Sequence, residues 1–234
     1  GSTGSRLLSG NTQEAEKTEQ FLAGFFGSEA ALIFNSGYDA NLGFFSSVPQ
    51  RGDTVLYDEL VHASVRDGIR LSHAKSYSFR HNDPEDLKRR IQQAEGTVFV
   101  AVESLYSMDG DLCPLKQIAD ICEHHKALLI VDEAHSGGIF GEKGKGLISE
   151  LNLKGKVFAQ IFTFGKAYGT HGAAVLGSKE LKSYLINFAR SFIYTTALPP
   201  NQYTTIQAQV EQSLDDEKRN KLQDNINYFR NVMQ

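Results

Sequence analysis

The chain has 234 residues and a mass of 25.9 kDa, room for one large domain or two small ones. At 41% hydrophobic and 22% charged residues its composition is that of an ordinary globular protein, which excludes a disordered chain and a collagen-like or coiled-coil rod. Its 24 basic and 28 acidic residues leave a net charge of −4, so it offers no basic footprint for nucleic acid or an anionic membrane. No apolar run reaches the roughly 18–20 residues of a spanning helix. Cys113 and Cys122 lack the spacing of a zinc site or a disulfide framework and read as free thiols, so the expectation is a cytoplasmic protein.

Apolar and amphipathic stretches alternate along the chain. Residues 12–26 read as a helix with Phe21, Leu22, Phe25 and Phe26 on its apolar face, Thr12 as its cap and Gly27 as its stop. A short apolar run at 31–35 ends in Ser36-Gly37, and a second helical pattern starts at Tyr38. Residues 54–57 read as a strand, 62–71 as a helix, and 75–79 alternate like a strand. Asn82-Asp83-Pro84 opens a helix over 83–94, with proline in its first turn. Residues 97–102 are rich in strand formers, 115–125 are helical, and 127–131 form an apolar strand that stops at Asp132. Further strands are predicted at 158–162, 173–176 and 192–194, with helices over 179–189 and most of 201–232. Strands separated by helices imply βαβ units, hence an α/β protein with a mostly parallel sheet covered on both faces. In such a sheet ligands bind beyond the carboxyl ends of the strands.

Four strand ends carry unusual residues: Asn35-Ser36-Gly37-Tyr38, the ESLYSMDGD segment at 103–111, Asp132-Glu133-Ala134-His135, and Thr163-Phe164-Gly165-Lys166. An apolar strand ending in DEAH also occurs in helicases, but that reading needs an upstream P-loop. Each Gly-Lys pair fails the spacing, because Ile139, Glu150 and Gln160 stand where the first glycine belongs. A metal site built from Asp132, His135 and the His124-His125 pair is a second competitor. The 124–125 pair reads instead as a solvated helix end near the negative pole of the helix dipole, and no metal is expected.

Taken together the strand ends suit a different chemistry. A lysine after an apolar strand, flanked by the small residues Gly165, Ala167 and Gly169, is held near the sheet and partly desolvated. Desolvation lowers its amine pKa and favours Schiff-base formation. An aspartate at the end of a buried strand can hold a protonated pyridine nitrogen, and a glycine opening a helix can present backbone N–H groups to a phosphate. Lysine, aspartate and phosphate cradle are the fixtures that pyridoxal phosphate (PLP) requires.

The segments GSTGSRLLSGN, EAALIFNSGYDAN, DELVHASVRDGIRLS, ESLYSMDGD, LLIVDEAHSGG, TFGKAYGTHGAAV and FIYTTALPP, in that order, resemble the α-oxoamine synthases, a family of fold-type I PLP enzymes. The resemblance runs from the first residue to about Pro200 and implies a three-layer α/β/α large domain. It implies that Lys166 forms the Schiff base and later moves a proton, that Asp132 pairs with the ring nitrogen, and that His135 bonds the phenolic oxygen. His62 is implied to stack on the ring, with a helix cap or core histidine as the plain alternative, and Ser107 to reach the phenolic edge. Gly37, Tyr38 and Thr163 are implied to cradle the phosphate. Thr195 or Thr196 is implied to reach the phosphate of a neighbouring subunit, since these enzymes are homodimers with the site at the interface. Glu103 and Asp109 read as supporting or turn residues.

Members of the family join an amino acid to an acyl-CoA thioester with loss of CO2. The TFGKAYGTHGAAV segment looks most like the biotin-pathway members, which implies L-alanine and a pimeloyl thioester as substrates. Glycine or serine with another acyl group is the alternative, and a non-catalytic scaffold of the same fold is another. The expected organisation is a large PLP-binding domain over 1–200 and a helical connection over 201–234 toward a small C-terminal domain that is absent. The arginine that binds the amino-acid carboxylate is expected in that absent domain, because neither Arg6 nor Arg190 lies where the family places it.

Overall fold

The computed structural model describes residues 2–233; Gly1 and Gln234, where the first motif opens and the last helical stretch closes, lie outside the described residues. In chain order the elements are α1 (Gln13–Phe26), β1 (Ala30–Phe34), α2 (Gly37–Ser47), β2 (Thr54–Asp58), α3 (Ala63–Leu71), β3 (Lys75–Phe79), α4 (Pro84–Ile91) and β4 (Val98–Glu103). There follow α5 (Leu115–His125), β5 (Leu128–Asp132), α6 (Leu147–Glu150), β6 (Ala159–Thr163), β7 (Ala173–Gly177), α7 (Lys179–Phe188), α8 (Arg190–Ile193), α9 (Pro200–Gln212) and α10 (Glu217–Met233). Short 3-10 turns at Glu142–Gly144 and Lys154–Lys156 flank α6.

The local signals act as their chemistry dictates. Thr12 Oγ1 accepts the Ala15 N–H at 3.2 Å and opens α1, and Gly27 closes it in the left-handed region at φ 70°. Asp83 caps α4 through the Asp86 N–H, with Pro84 in the first turn. No described helix is long and apolar enough to cross a membrane.

The strands form one 7-stranded sheet in the order β1-β7-β6-β5-β4-β2-β3. The pairs β2–β3, β2–β4, β4–β5 and β5–β6 are parallel, whereas β7 runs antiparallel to both β1 and β6. Alternate residues of each strand feed opposite faces. Leu32, Phe34, Phe99, Ala101, Ile130 and Ile161 meet α2, α3, α7 and α8 on one side. Val100, Val102, Leu129 and Val131 meet α4, α5 and α6 on the other. That second face continues where Ile33, Phe162, Ala174 and Leu176 pack under α1 and α9. Each large apolar side chain buried this way contributes about 1.5–3 kcal/mol relative to exposure. The result is the three-layer α/β/α architecture expected from the sequence.

One expectation is corrected: the strand expected at 192–194 is the helical turn α8. Two residues apart on a strand, Phe192 and Tyr194 would share a face; here Phe192 fills the core edge-on to Phe34 at 5.6 Å, whereas Tyr194 is exposed under Arg190, one turn earlier. The helices expected over most of 201–232 are α9 and α10, and Asp215 Oδ1 accepts the Glu217 N–H at 2.9 Å where α10 starts. In α9, Tyr203, Ile206 and Val210 are buried against α1, whereas α10 buries no residue.

The topology decides where chemistry can occur. β4, β5 and β6 are parallel neighbours, and β1 points the same way because β7 reverses between it and β6. Their carboxyl ends therefore deliver Asn35 to Gly37, Glu103, Asp132 to His135 and Thr163 to Lys166 to one edge of the sheet.

Candidate active site

At that edge lies a cavity of about 190 Å³ lined by Gly37, Tyr38, Asn41, His62, Ser64, Glu103, Asp132, Ala134, His135, Thr163 and Lys166. α2 opens at it. Ser36 Oγ accepts the Asp39 N–H at 3.1 Å, which leaves the N–H groups at the very start of the helix unpaired within it, at the pole that attracts anions. A Cβ on Gly37 would stand 3.4 Å from Thr163 Cβ and 3.5 Å from its hydroxyl, so glycine keeps this corner open.

Asp132 closes β5 on the floor of the cavity, 7% exposed, with Oδ1 accepting the Ala134 N–H at 2.9 Å and Oδ2 accepting Asn41 Nδ2 at 2.8 Å. Its neighbour Glu133 turns into the protein. There it accepts the Leu147 and Ile148 N–H groups at 2.9 and 2.7 Å, capping α6, and burial pushes its pKa up to about 7. The DEAH segment thus divides into two residues for the cavity, Asp132 and His135, and one for the fold.

Lys166 sits on a tight loop anchored on both sides by buried Phe164 and Tyr168. The loop closes through Gly169 N–H to the Lys166 carbonyl at 2.9 Å, with Gly169 in the left-handed region at φ 66°. The lysine is exposed at the rim, and its amine Nζ lies 2.7 Å from His135 Nε2. Partial burial of the amine lowers its pKa against the opposing pull of Asp132 and Glu103. Burial and the nearby Lys166 charge likewise lower the pKa of His135. An imidazole and an amine whose pKa values are both lowered, 2.7 Å apart, form the pairing that suits a Schiff-base lysine.

His62 stands across the cavity as the N-cap of α3. Its Nδ1 accepts the Ser64 N–H at 3.2 Å and lies 2.7 Å from Ser64 Oγ, which leaves Nε2 without a partner among the described residues. The capping role and a ligand-facing ring therefore coexist. Glu103, beside Asp132 in the β4–β5 register, accepts the His62 N–H at 2.6 Å. Burial first, and the Asp132 charge second, push the Glu103 pKa up to about 8.

The structure brings Gly37, Tyr38, His62, Asp132, His135, Thr163 and Lys166 to this one cavity. The Tyr38 hydroxyl itself donates to Asp67 at 2.7 Å on the outer side of α3. Ser107 is not among the lining residues; it is exposed on the turn that follows buried Tyr106. Thr195 and Thr196 also stand apart from the lining, held by Asn35, whose Nδ2 donates to Thr195 Oγ1 at 3.0 Å and to the Thr196 carbonyl at 2.9 Å. Asn41, Ser64 and Ala134 are lining residues that sequence reasoning missed, and Glu103 was read as support. Asn41 was legible in one respect, since it lies four residues after Gly37 and so one turn up the same face of α2.

The residues fit PLP. A buried carboxylate, an amine of lowered pKa and a helix N-terminus kept open by glycine face one volume, and the buried Asn41 Oδ1 has no protein partner. Held here, PLP would meet Asp132 on its nitrogen side, Lys166 and His135 on its aldehyde and phenol side, and the start of α2 at its phosphate.

The comparisons with known proteins agree. The model for the aminotransferase class I and II family matches residues 1–234. The chain is 44% identical to an 8-amino-7-oxononanoate synthase of Emericella nidulans, over 98% of this chain and 60% of that protein. It thus spans about three fifths of the length of such curated relatives. Its fold overlays a serine palmitoyltransferase of S. paucimobilis with a bound PLP–myriocin adduct at a TM-score of 0.92, with 36% identity over 96% of this chain and 59% of that one. An 8-amino-7-oxononanoate synthase of Francisella tularensis overlays at 0.86, with 34% identity over 98% of this chain and 66% of that one. With motifs, sheet order and strand-end cavity all agreeing, the chain belongs to the aminotransferase class I and II family.

Proposed function

We propose that this chain is the cofactor-binding part of an 8-amino-7-oxononanoate synthase-like acyltransferase. In this reading PLP is bound through Lys166, and L-alanine is joined to a pimeloyl thioester with release of CO2 and the free thiol. The observation that carries the reading is the Lys166 amine 2.7 Å from His135, over a cavity floored by Asp132. PLP, when bound, supplies an electrophilic aldehyde and a ring that accepts the electron pair of a deprotonated amino-acid α-carbon. The chain's own residues do the rest. Lys166 would hold the cofactor through its Nζ and, once freed by the incoming amino acid, would be placed to take the α-proton. His135 holds the phenolic oxygen beside that amine. Asp132 keeps a proton on the ring nitrogen through a charge-assisted hydrogen bond. His62 covers the ring face.

The organisation belongs to the same proposal: residues 1–200 hold PLP, 201–234 lead toward a further domain, and the working unit is a cytoplasmic homodimer. In that dimer Thr195 or Thr196 would reach the partner's phosphate, consistent with their position outside the cavity of their own chain. Ser107 would reach the phenolic edge once its exposed turn is covered.

Serine palmitoyltransferase is among the solved structures this chain overlays, at 36% identity, and makes L-serine the rival amino acid. The visible spectrum of the chain with PLP, recorded with L-alanine, L-serine and glycine beside Lys166→Ala, separates the two. A Lys166-dependent band that shifts most with L-alanine supports the main reading. A preference for L-serine or glycine would support another α-oxoamine synthase activity instead.

A further inference from the structure

Asn41 lies one turn into α2, only 2% exposed, and belongs to no motif role assigned above. Its two amide hydrogens are both used. One goes to Asp132 Oδ2 at 2.8 Å and the other to Ser64 Oγ at 3.0 Å. The orientation is forced, because the flipped amide would set Oδ1 against the Asp132 carboxylate. Since Ser64 Oγ accepts from Asn41, its own hydrogen is available to His62 Nδ1, 2.7 Å away, and the Ser64 N–H points to the same nitrogen. His62 Nδ1 is therefore an acceptor, which places the ring proton of the neutral imidazole on Nε2. One buried amide thus connects the carboxylate on the cavity floor with the histidine that covers it.

We propose that Asn41 is a positioning residue for the cofactor, orienting the Asp132 carboxylate that would meet the ring nitrogen and fixing His62 in its Nε2–H tautomer through Ser64. The proposal rests on the PLP reading above. Asp132 is faced by Glu103 from β4, Glu133 and His135 from its own loop, His62 from the start of α3 and Lys166 from the loop after β6. Glu103 sits opposite Asp132 in the strand register, so Asn41 is a neutral donor on a carboxylate that has a second acid beside it. Without that donor, Asp132 Oδ2 loses its partner and the carboxylate is free to turn from the orientation in which it would meet a pyridinium nitrogen.

The test uses the full chain, with Asn41→Ala, Asn41→Asp and Ser64→Ala beside the wild type, each checked for folding by circular dichroism. Equilibrium PLP binding is measured from pH 6 to pH 9, and the His62 tautomer is read in the cofactor-free protein from long-range proton–nitrogen NMR correlations. Asn41→Ala and Asn41→Asp are expected to weaken PLP binding about ten-fold, the scale of one hydrogen bond to a charged group. His62 should change from one tautomer to a mixture in Asn41→Ala and Ser64→Ala, whereas Ser64→Ala, which leaves the Asn41–Asp132 bond in place, should weaken PLP binding less than Asn41→Ala does. Folded Asn41 variants with wild-type affinity at every pH would overturn the inference alone. A wild type that forms no Lys166-dependent band would overturn the PLP reading and this inference with it.

Discussion

Glu103 shows how one buried side chain carries a pH dependence into the whole fold. Burial and the Asp132 charge raise its folded pKa from 4.5 to about 8. A group raised in this way contributes stability that is fully present below its unfolded pKa and is lost as pH rises through the folded one. The wild type should therefore lose thermal stability between pH 5 and pH 9 relative to Glu103→Gln, which still accepts the His62 N–H but does not titrate. Melting curves of the cofactor-free proteins check this, and parallel profiles for the two would refute it. At this scale the sequence revealed the residues whose chemistry is unusual: Lys166, Asp132, His135 and His62 stand at strand or helix ends where a structural role is hard to assign. It concealed Asn41 and Ser64, because an asparagine and a serine in helices look ordinary until the fold turns both toward one carboxylate.

Between elements, the ends of β2 and β3 and the turn carrying Ser107 are tied by a clasp. His81 bridges Asp58 through Nδ1 at 2.9 Å and Asp111 through Nε2 at 2.8 Å, while the edge of the Tyr106 ring packs on the imidazole. Asp58 also accepts the Leu60 and Asn82 N–H groups, so the clasp fixes the loop that leads into His62. Burial disfavours the charged imidazole, but the two carboxylates outweigh it and raise its pKa above 6.5. The stability it adds is present below that unfolded value and is lost as pH rises through the folded one. His81→Gln should lower the melting temperature by about 2–4 °C near pH 6, roughly 1 kcal/mol in a domain of this size, and by less at pH 9. An equal loss at both pH values would contradict the assignment. The elements were legible wherever a cap, a stop or an uninterrupted period marked them, as in β3, α5 and α1. They were not where a short apolar segment fits two geometries. Phe192 to Tyr194 is a run of strand-forming residues, but the sheet already has its neighbours and the chain is free to form a turn of helix.

At the scale of the molecule, the order β1-β7-β6-β5-β4-β2-β3 brings four strand ends far apart in sequence to one edge. The alternation of strands and helices already implied that a site would form there, and the sequence placed seven of the residues that line it. The Ser107 turn and the Thr195-Thr196 segment were matched by motif, and neither lines this cavity. The proposed Schiff-base role of Lys166 is tested by borohydride reduction of the full chain incubated with PLP, followed by peptide mass spectrometry. The expected result is a stable pyridoxyl adduct on the peptide containing Lys166, lost in Lys166→Ala and displaced when L-alanine is added before reduction. Modification spread over surface lysines, or unchanged in Lys166→Ala, would contradict it.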